Sequence, residues 1–222
     1  MKVLGVREVA DRLAVSPRRV RQMLEAGDLS GQRISGSWIV SARAVAVFEH
    51  SRRPAGRPWS ASSAWAVLDV AGGGGQDLES LQRSRARARL RSVGLDGLVD
   101  RLASRASPRS FFGHPGMLDD LISDPDLVRS GVSALSEYPV GLVVGDEVEG
   151  YVRSSRIAAL VSRFALDELS EHPNVVLRDV GDEFWPFDED QVVAPKPVVA
   201  VDLLDAADSR SRRAGAALAA SL

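Results

Sequence analysis

The sequence predicts an α+β fold in three parts: a small basic head of helices and a β-hairpin, a helical connector, and a mixed α/β half. Three observations carry this. Apolar residues recur at helical spacing from Val6 to Leu24 and then switch to period two. Positive charge gathers at the start of the chain and negative charge at its end. Between them lie Gly- and Pro-containing breaks and an arginine-rich segment.

In the head, Val6, Val9, Ala10 and Leu13 form one apolar stripe, and the first helix closes over Ala10–Ala14. Val15-Ser16-Pro17 makes a turn: Ser16 is a good N-cap, and Pro17 stands at the first helical position, where its missing N–H costs nothing. Val20, Met23 and Leu24 give the second helix a buried face, and Gly27 suits its left-handed end. At about 100° per residue, Arg18 and Gln22 point away from Val20 and Leu24, with Arg19 and Arg21 on the flanks. Leu29–Ile34 and Trp38–Val40 then read as strands across a turn at Ser35-Gly36-Ser37. Ser41 caps a helix through Phe48. Helix, tight turn, basic helix, hairpin and helix predict a winged helix-turn-helix whose second helix enters the major groove of double-stranded DNA. Arginine can read guanine bidentately and glutamine can read adenine, so Arg18, Arg19, Arg21 and Gln22 are the candidate contacts.

On these residues, "VREVADRLAVSPRRVRQMLEAGDLSGQRISGSWIV" resembles the excisionase/MerR-like winged helix family. The resemblance implies that the second helix reads the groove and the wing approaches the backbone. It places Arg33 and Ser37 near phosphates and makes Trp38 a packing residue of the wing.

The 222 residues include no cysteine, so neither a disulfide framework nor a thiolate metal site is expected. His50, His114 and His172 are each isolated, and no metal or cofactor is expected from them. No apolar stretch has the length of a membrane span, and the start has no secretory pattern; a cytoplasmic protein is expected. Residues 1–60 carry 11 basic and 5 acidic side chains, 61–109 carry 8 and 5, and 110–222 carry 9 and 20. The basic head suits phosphates, which it binds with counterion release. The acidic half suits a basic protein partner, or simply solubility.

The composition places domain boundaries at 1–58, 59–108 and 109–222. Ser51–Pro58, "SRRPAGRP", is a basic linker in which Arg52 and Arg53 are further candidate phosphate contacts. Trp59, Trp65 and Leu68 are read in a short helix, with Ser60 as its cap. Gly72–Gly75 breaks the chain; no GK[ST] follows, so it is not a phosphate loop. In "LQRSRARARLRSVG" the alternation of Arg83, Arg85, Arg87, Arg89 and Arg91 suggests a strand, whereas Leu81, Ala88 and Leu90 suit a helix. The arginines are expected to be exposed either way, as a solvated face, a second nucleic-acid contact or a dock for the acidic half. Gly94–Arg105 reads as a helix with Leu95, Leu98, Val99 and Leu102 inside.

In the last part, "HPGMLDDLISDPDLVRSGVSAL" offers a short helix, a turn at Asp124-Pro125 and a strand-like run. Val140–Val144 and Gly150–Val152 suggest a hairpin. Ser154 caps a helix containing Ile157, Leu160, Val161, Phe164 and Leu169, and Asn174–Val180 is a strand. "DEFWPFDED" places Phe184, Trp185 and Phe187 in an acidic frame, either as an exposed partner anchor or as a lid on their own core. Pro197–Leu204 and Ser209–Leu222 are the closing helices. Asp202, Asp205 and Asp208 recur every third residue and are read as helix-face and capping residues.

"GYVRSSRIAALVSRFAL", "NVVLRDV" and "APKPVVAVDLLDAADSRSRRAGAALAASL" resemble the C-terminal domain of AbiEi-like antitoxins. This implies a DNA-binding end that represses its own operon, as a dimer or cooperatively on repeats, and a second half that counteracts a nucleotidyltransferase-like toxin in phage defence. The paired carboxylates at Asp119-Asp120, Glu147-Glu149 and Asp188-Glu189-Asp190 lack a convergent lysine, histidine or activated nucleophile, so no catalysis is expected. A stand-alone regulator or excisionase-like accessory protein, and a DNA-targeted nuclease, are the alternatives.

Overall fold

The computed structural model describes residues 3–25, 29, 31–34, 36–42, 44, 45, 48, 59–138, 140 and 145–222. Helices and strands mix in two compact units, Met1–Gly56 and Arg57–Leu222, each built around its own sheet. Among the described residues no helix is long and apolar enough to cross a membrane.

The first unit runs β1 (Val3–Gly5), α1 (Val6–Leu13), α2 (Pro17–Glu25), β2 (Gln32–Ile34) and β3 (Ser37–Ser41). Its sheet has the order β1-β3-β2, antiparallel throughout. The Glu8 carboxylate accepts the Gly5 N–H at 2.8 Å at the start of α1. Ala14 turns the chain out of α1 in a left-handed conformation (φ 51°, ψ 44°). The Ser16 hydroxyl then accepts the Arg19 N–H at 3.2 Å and starts α2. Likewise the Ser41 hydroxyl accepts the Ala44 N–H at 3.0 Å, ahead of helical residues at Ala42, Ala44, Val45 and Phe48. Val9, Ala10, Leu13, Val20, Met23, Leu24, Leu29, Val40 and Val45 close the core. Leu29 was expected to open a strand; it instead donates its N–H to Met23 and buries its side chain, and pairing begins at Gln32. Gly27, Ser35 and the linker Ser51–Pro58 lie outside the described residues.

Gly31 is where the hairpin meets α2. A Cβ there would stand 2.6 Å from Leu24 Cδ2 and 3.2 Å from the Ile39 carbonyl oxygen. Gly31→Val is therefore expected to destabilise the first unit by about 1–3 kcal/mol through overpacking. Faster hydrogen exchange at the Val20–Leu24 amides would report it; unchanged exchange would mean that the hairpin gives way at no cost.

The second unit runs α3 (Ala61–Ala71), α4 (Ser80–Val93), a 3-10 helix over Asp96–Arg105, β4 (Ser107–Phe111), α5 (Leu118–Ile122), β5 (Val128–Arg129), β6 (Val148–Val152), α6 (Ser154–Arg163), β7 (Val175–Asp179), α7 (Lys196–Leu204) and α8 (Ser209–Ala219). The sheet order is β4-β7-β6-β5. β6 and β7 are parallel and joined through α6; β4 and β5 are antiparallel edges. Alternation along the strands separates two cores. Val148, Val152, Val175 and Leu177 pack with Leu121, Ile157, Leu160 and Phe164. Tyr151 packs on the other side with Trp65, Leu98, Leu102, Phe187 and Val199.

Several expectations change here. Residues 59–108 are no separate connector: Ala64, Trp65, Val67, Leu68, Ala86, Leu95, Leu98 and Leu102 belong to the same core as α7 and α8. "LQRSRARARLRSVG" is helical, because its buried contact falls on the single position Ala86. Its arginines are not all exposed. Arg83 Nη2 donates to the Gln76 and Leu78 carbonyls at 3.2 and 2.9 Å, and Arg89 lies 4.0 Å over the Trp59 ring. Ser154 does not cap α6: its hydroxyl turns to Asp179, and Asp182 accepts from both the Ser155 N–H and hydroxyl instead. Leu169 lies past the end of α6 and is 92% exposed; the chain has already turned at Ala165 (φ 48°). β6 pairs with β5 and β7, whereas 141–144, half of the expected hairpin, lie outside the described residues.

Candidate nucleic-acid interface

Helix α2 sorts its side chains by chemistry. Val20, Met23 and Leu24 are buried, whereas Arg18, Arg19, Arg21 and Gln22 are all exposed. The cause is local: the apolar residues recur three and four apart, so one stripe docks and the basic residues take the remaining arc. Among the described residues no ion pair involves Arg18, Arg19, Arg21 or Arg33.

The hairpin carries the other candidates. Arg33 pairs across from Trp38, and its Nε donates to the Gly36 carbonyl at 3.4 Å, so the guanidinium curls over the turn. Ser37 is exposed at the start of β3. Trp38 is half-buried against the core, as expected of a packing residue. Arg52 and Arg53 lie outside the described residues.

The second unit holds a polar centre that sequence reasoning did not find. Asp202, fully buried on α7, accepts from Arg105 Nη2 at 2.6 Å, Arg105 Nε at 3.0 Å and the Tyr151 hydroxyl at 3.0 Å, and from the Ser130 hydroxyl. Arg178, on β7, approaches Asp202 at 3.4 Å and is bound by Glu149 on β6, with Arg178 Nε to Glu149 Oε1 at 2.8 Å. Asp205 completes the set, 3.3 Å from Arg105 and 3.6 Å from Arg178. It is the one carboxylate of the group with a substantially exposed side chain, at 29%. Gly131 makes room: its φ is +51°, and a Cβ there would stand 1.8 Å from Glu149 Oε2.

Burial disfavours charge throughout this cluster, and neighbours decide the outcome. Burial pushes the Glu149 carboxyl above the ordinary carboxylate range, against the pull of Arg178. Burial, then Asp202, push the Tyr151 hydroxyl upward. Burial works against charge on Arg178, but Asp202 and Glu149 outweigh it and hold the guanidinium above its ordinary value. The carboxylates are thus engaged by arginine, and the arrangement ties the 3-10 helix, β6, β7 and α7 together. Asp202 was expected to be a helix-face residue; it is the hub of this network. Asp208 does cap α8, accepting the Arg210 and Ser211 N–H groups at 2.9 Å. The signal in the sequence was a lone acid inside the apolar run "VVAVDLL", together with Glu149 and Arg178 inside apolar strands.

The aromatic loop divides. Phe187 is buried, with its ring 5.5 Å from Trp65, 5.1 Å from Tyr151 and 5.1 Å from Trp185. It is therefore part of the core and not an exposed anchor. Trp185 is half-buried beneath Arg153, 4.6 Å from its ring centre. Phe184 alone of the three is largely exposed, at 49%. Among the described residues no group of three or more histidine, aspartate or glutamate side chains is placed to hold a metal ion. No family model, curated protein or solved structure matches the chain.

Proposed function

We propose that this chain is a sequence-specific double-stranded DNA-binding protein whose first unit works as a winged helix-turn-helix. One observation carries the reading: α2 exposes Arg18, Arg19, Arg21 and Gln22 on the arc opposite its buried stripe, with no ion pair to them among the described residues. A helix of this kind can enter a major groove some 12 Å wide and present donors to base edges and phosphates. In this reading Arg33 and Ser37 bring the hairpin to the backbone. The finer reading is a repressor of its own operon, the antitoxin partner of a nucleotidyltransferase-like toxin. It rests on the resemblance carried by "VVAVDLLDAADSRSRRAG" and its neighbours. The second unit is then a scaffold and partner dock, not a catalyst, because its buried acids are held by arginines: Asp202 and Glu149 by Arg105 and Arg178, and Asp124 by Arg163.

Binding to the duplex upstream of its own coding region, against a scrambled duplex, tests the reading. Arg18→Ala and Gln22→Ala should each weaken binding to the upstream duplex by about 1–3 kcal/mol if they read bases. Binding to the scrambled duplex should change less. Equal affinity of the wild-type protein for both duplexes would end the sequence-specific reading. Co-expression with a neighbouring nucleotidyltransferase gene tests the antitoxin part: growth should be rescued by this chain.

A further inference from the structure

Helix α4 carries five arginines and no acid in 14 residues, yet it lies in a unit with 18 basic and 25 acidic side chains. Two of the five have work beyond their own helix, while Arg91 Nε donates only to the Arg87 carbonyl one turn back, at 3.4 Å. Arg83 binds the Gln76 and Leu78 carbonyls, and Arg89 covers the Trp59 ring. The other three, Arg85, Arg87 and Arg91, are exposed, and no ion pair among the described residues involves them.

Their placement on the helix is specific. The buried residue is Ala86. At about 100° per residue, Ser84 and Ala88 form the ridge opposite it, Arg85 falls on one side of that ridge, and Arg87 and Arg91 fall on the other. Small residues on the ridge let the helix come close to a partner, and arginines on both flanks reach past it. That shape fits a line of phosphates, which needs donors and no apolar anchor. A protein partner would call for an apolar centre. The exposed apolar residues of α4, Leu81 at 57% and Val93 at 54%, stand at its two ends instead.

We propose that α4 is a second DNA contact, which grips the sugar–phosphate backbone through Arg85, Arg87 and Arg91 without reading sequence. The proposal takes its ligand from the DNA-binding reading of the first unit. Its residues are independent of that unit.

The test uses the full chain and two duplexes, the upstream sequence and a scrambled one, titrated across a salt series. Removing one cation from a phosphate lowers the steepness of log K against log salt by about 0.9. Arg85→Gln/Arg87→Gln/Arg91→Gln should lower it by about 2–3 on both duplexes and leave their affinity ratio unchanged. An unchanged slope overturns the proposal. So does a change in sedimentation mass without a change in slope, which would assign the face to a protein contact. The same triple change is made in an Arg18→Ala/Gln22→Ala background and titrated against the scrambled duplex. A further drop in slope there supports α4 even if sequence-specific binding by α2 fails; no drop there overturns α4 even if α2 succeeds.

Discussion

Replacing Asp202 by alanine is expected to destabilise the second unit by about 3–5 kcal/mol, the cost of leaving buried charge without its partner. The substitution removes the acceptor for two donors of Arg105, for the Tyr151 hydroxyl and for the Ser130 hydroxyl, all in the interior. Arg178 keeps Glu149, so Arg105 is the cation left most exposed to the loss; Asp205 reaches it at 3.3 Å from a partly solvated position. Adding Arg105→Met to Asp202→Ala should recover part of the stability, because it removes the uncompensated cation and keeps its bulk. Urea denaturation of the three proteins decides it. Equal or greater loss in the double variant would show that the network contributes through packing and not through charge.

Trp65→Ala is expected to cost about 3–5 kcal/mol, as for other large buried aromatic side chains cut to alanine. The ring meets Tyr151 at 5.6 Å and Phe187 at 5.5 Å, both edge-on, and its Nε1–H donates to the Arg105 carbonyl at 3.0 Å. It therefore joins α3 to the strand, the aromatic loop and the polar centre at once. Trp65→Phe should lose less, because it keeps an aromatic ring at the position. A loss below about 1 kcal/mol for Trp65→Ala, measured by the same denaturation, would place α3 outside the cooperative core.

What the sequence revealed about this chain follows the range of the forces involved. The stripe of α1 and α2, the caps at Ser16, Ser41, Ser60 and Asp208, and the short strands of the hairpin each depend on residues within a few positions of one another. The candidate contacts Arg18, Arg19, Arg21 and Gln22 were legible for the same reason: helical spacing alone sends them outward. The polar centre was not, because Asp202 and Arg105 are 97 positions apart and only the tertiary fold brings them together. Ser154 misled for a related reason. A serine before an apolar stripe is a good local cap, but here Asp182, 27 positions beyond Ser155, had the better geometry. Phe187 was ambiguous in the sequence, since aromatics in an acidic frame suit both an anchor and a lid. Its neighbours Trp65 and Tyr151 decide it, and neither is local.

The entry of the chain into the second unit is fastened at Trp59. Its N–H donates to the Arg101 carbonyl at 3.4 Å, its own carbonyl accepts the Ser104 hydroxyl, and Arg89 lies over its ring. Recombination between genes of this kind is therefore constrained in where it can cut. A crossover upstream of Trp59 exchanges one first unit for another and leaves the second unit whole. A crossover near residue 109, where composition alone would divide the chain, carries off Trp65, Leu102 and Arg105 and leaves Asp202 in the interior with one arginine instead of two. A different first unit can thus be joined to this second half only if it ends before that tryptophan.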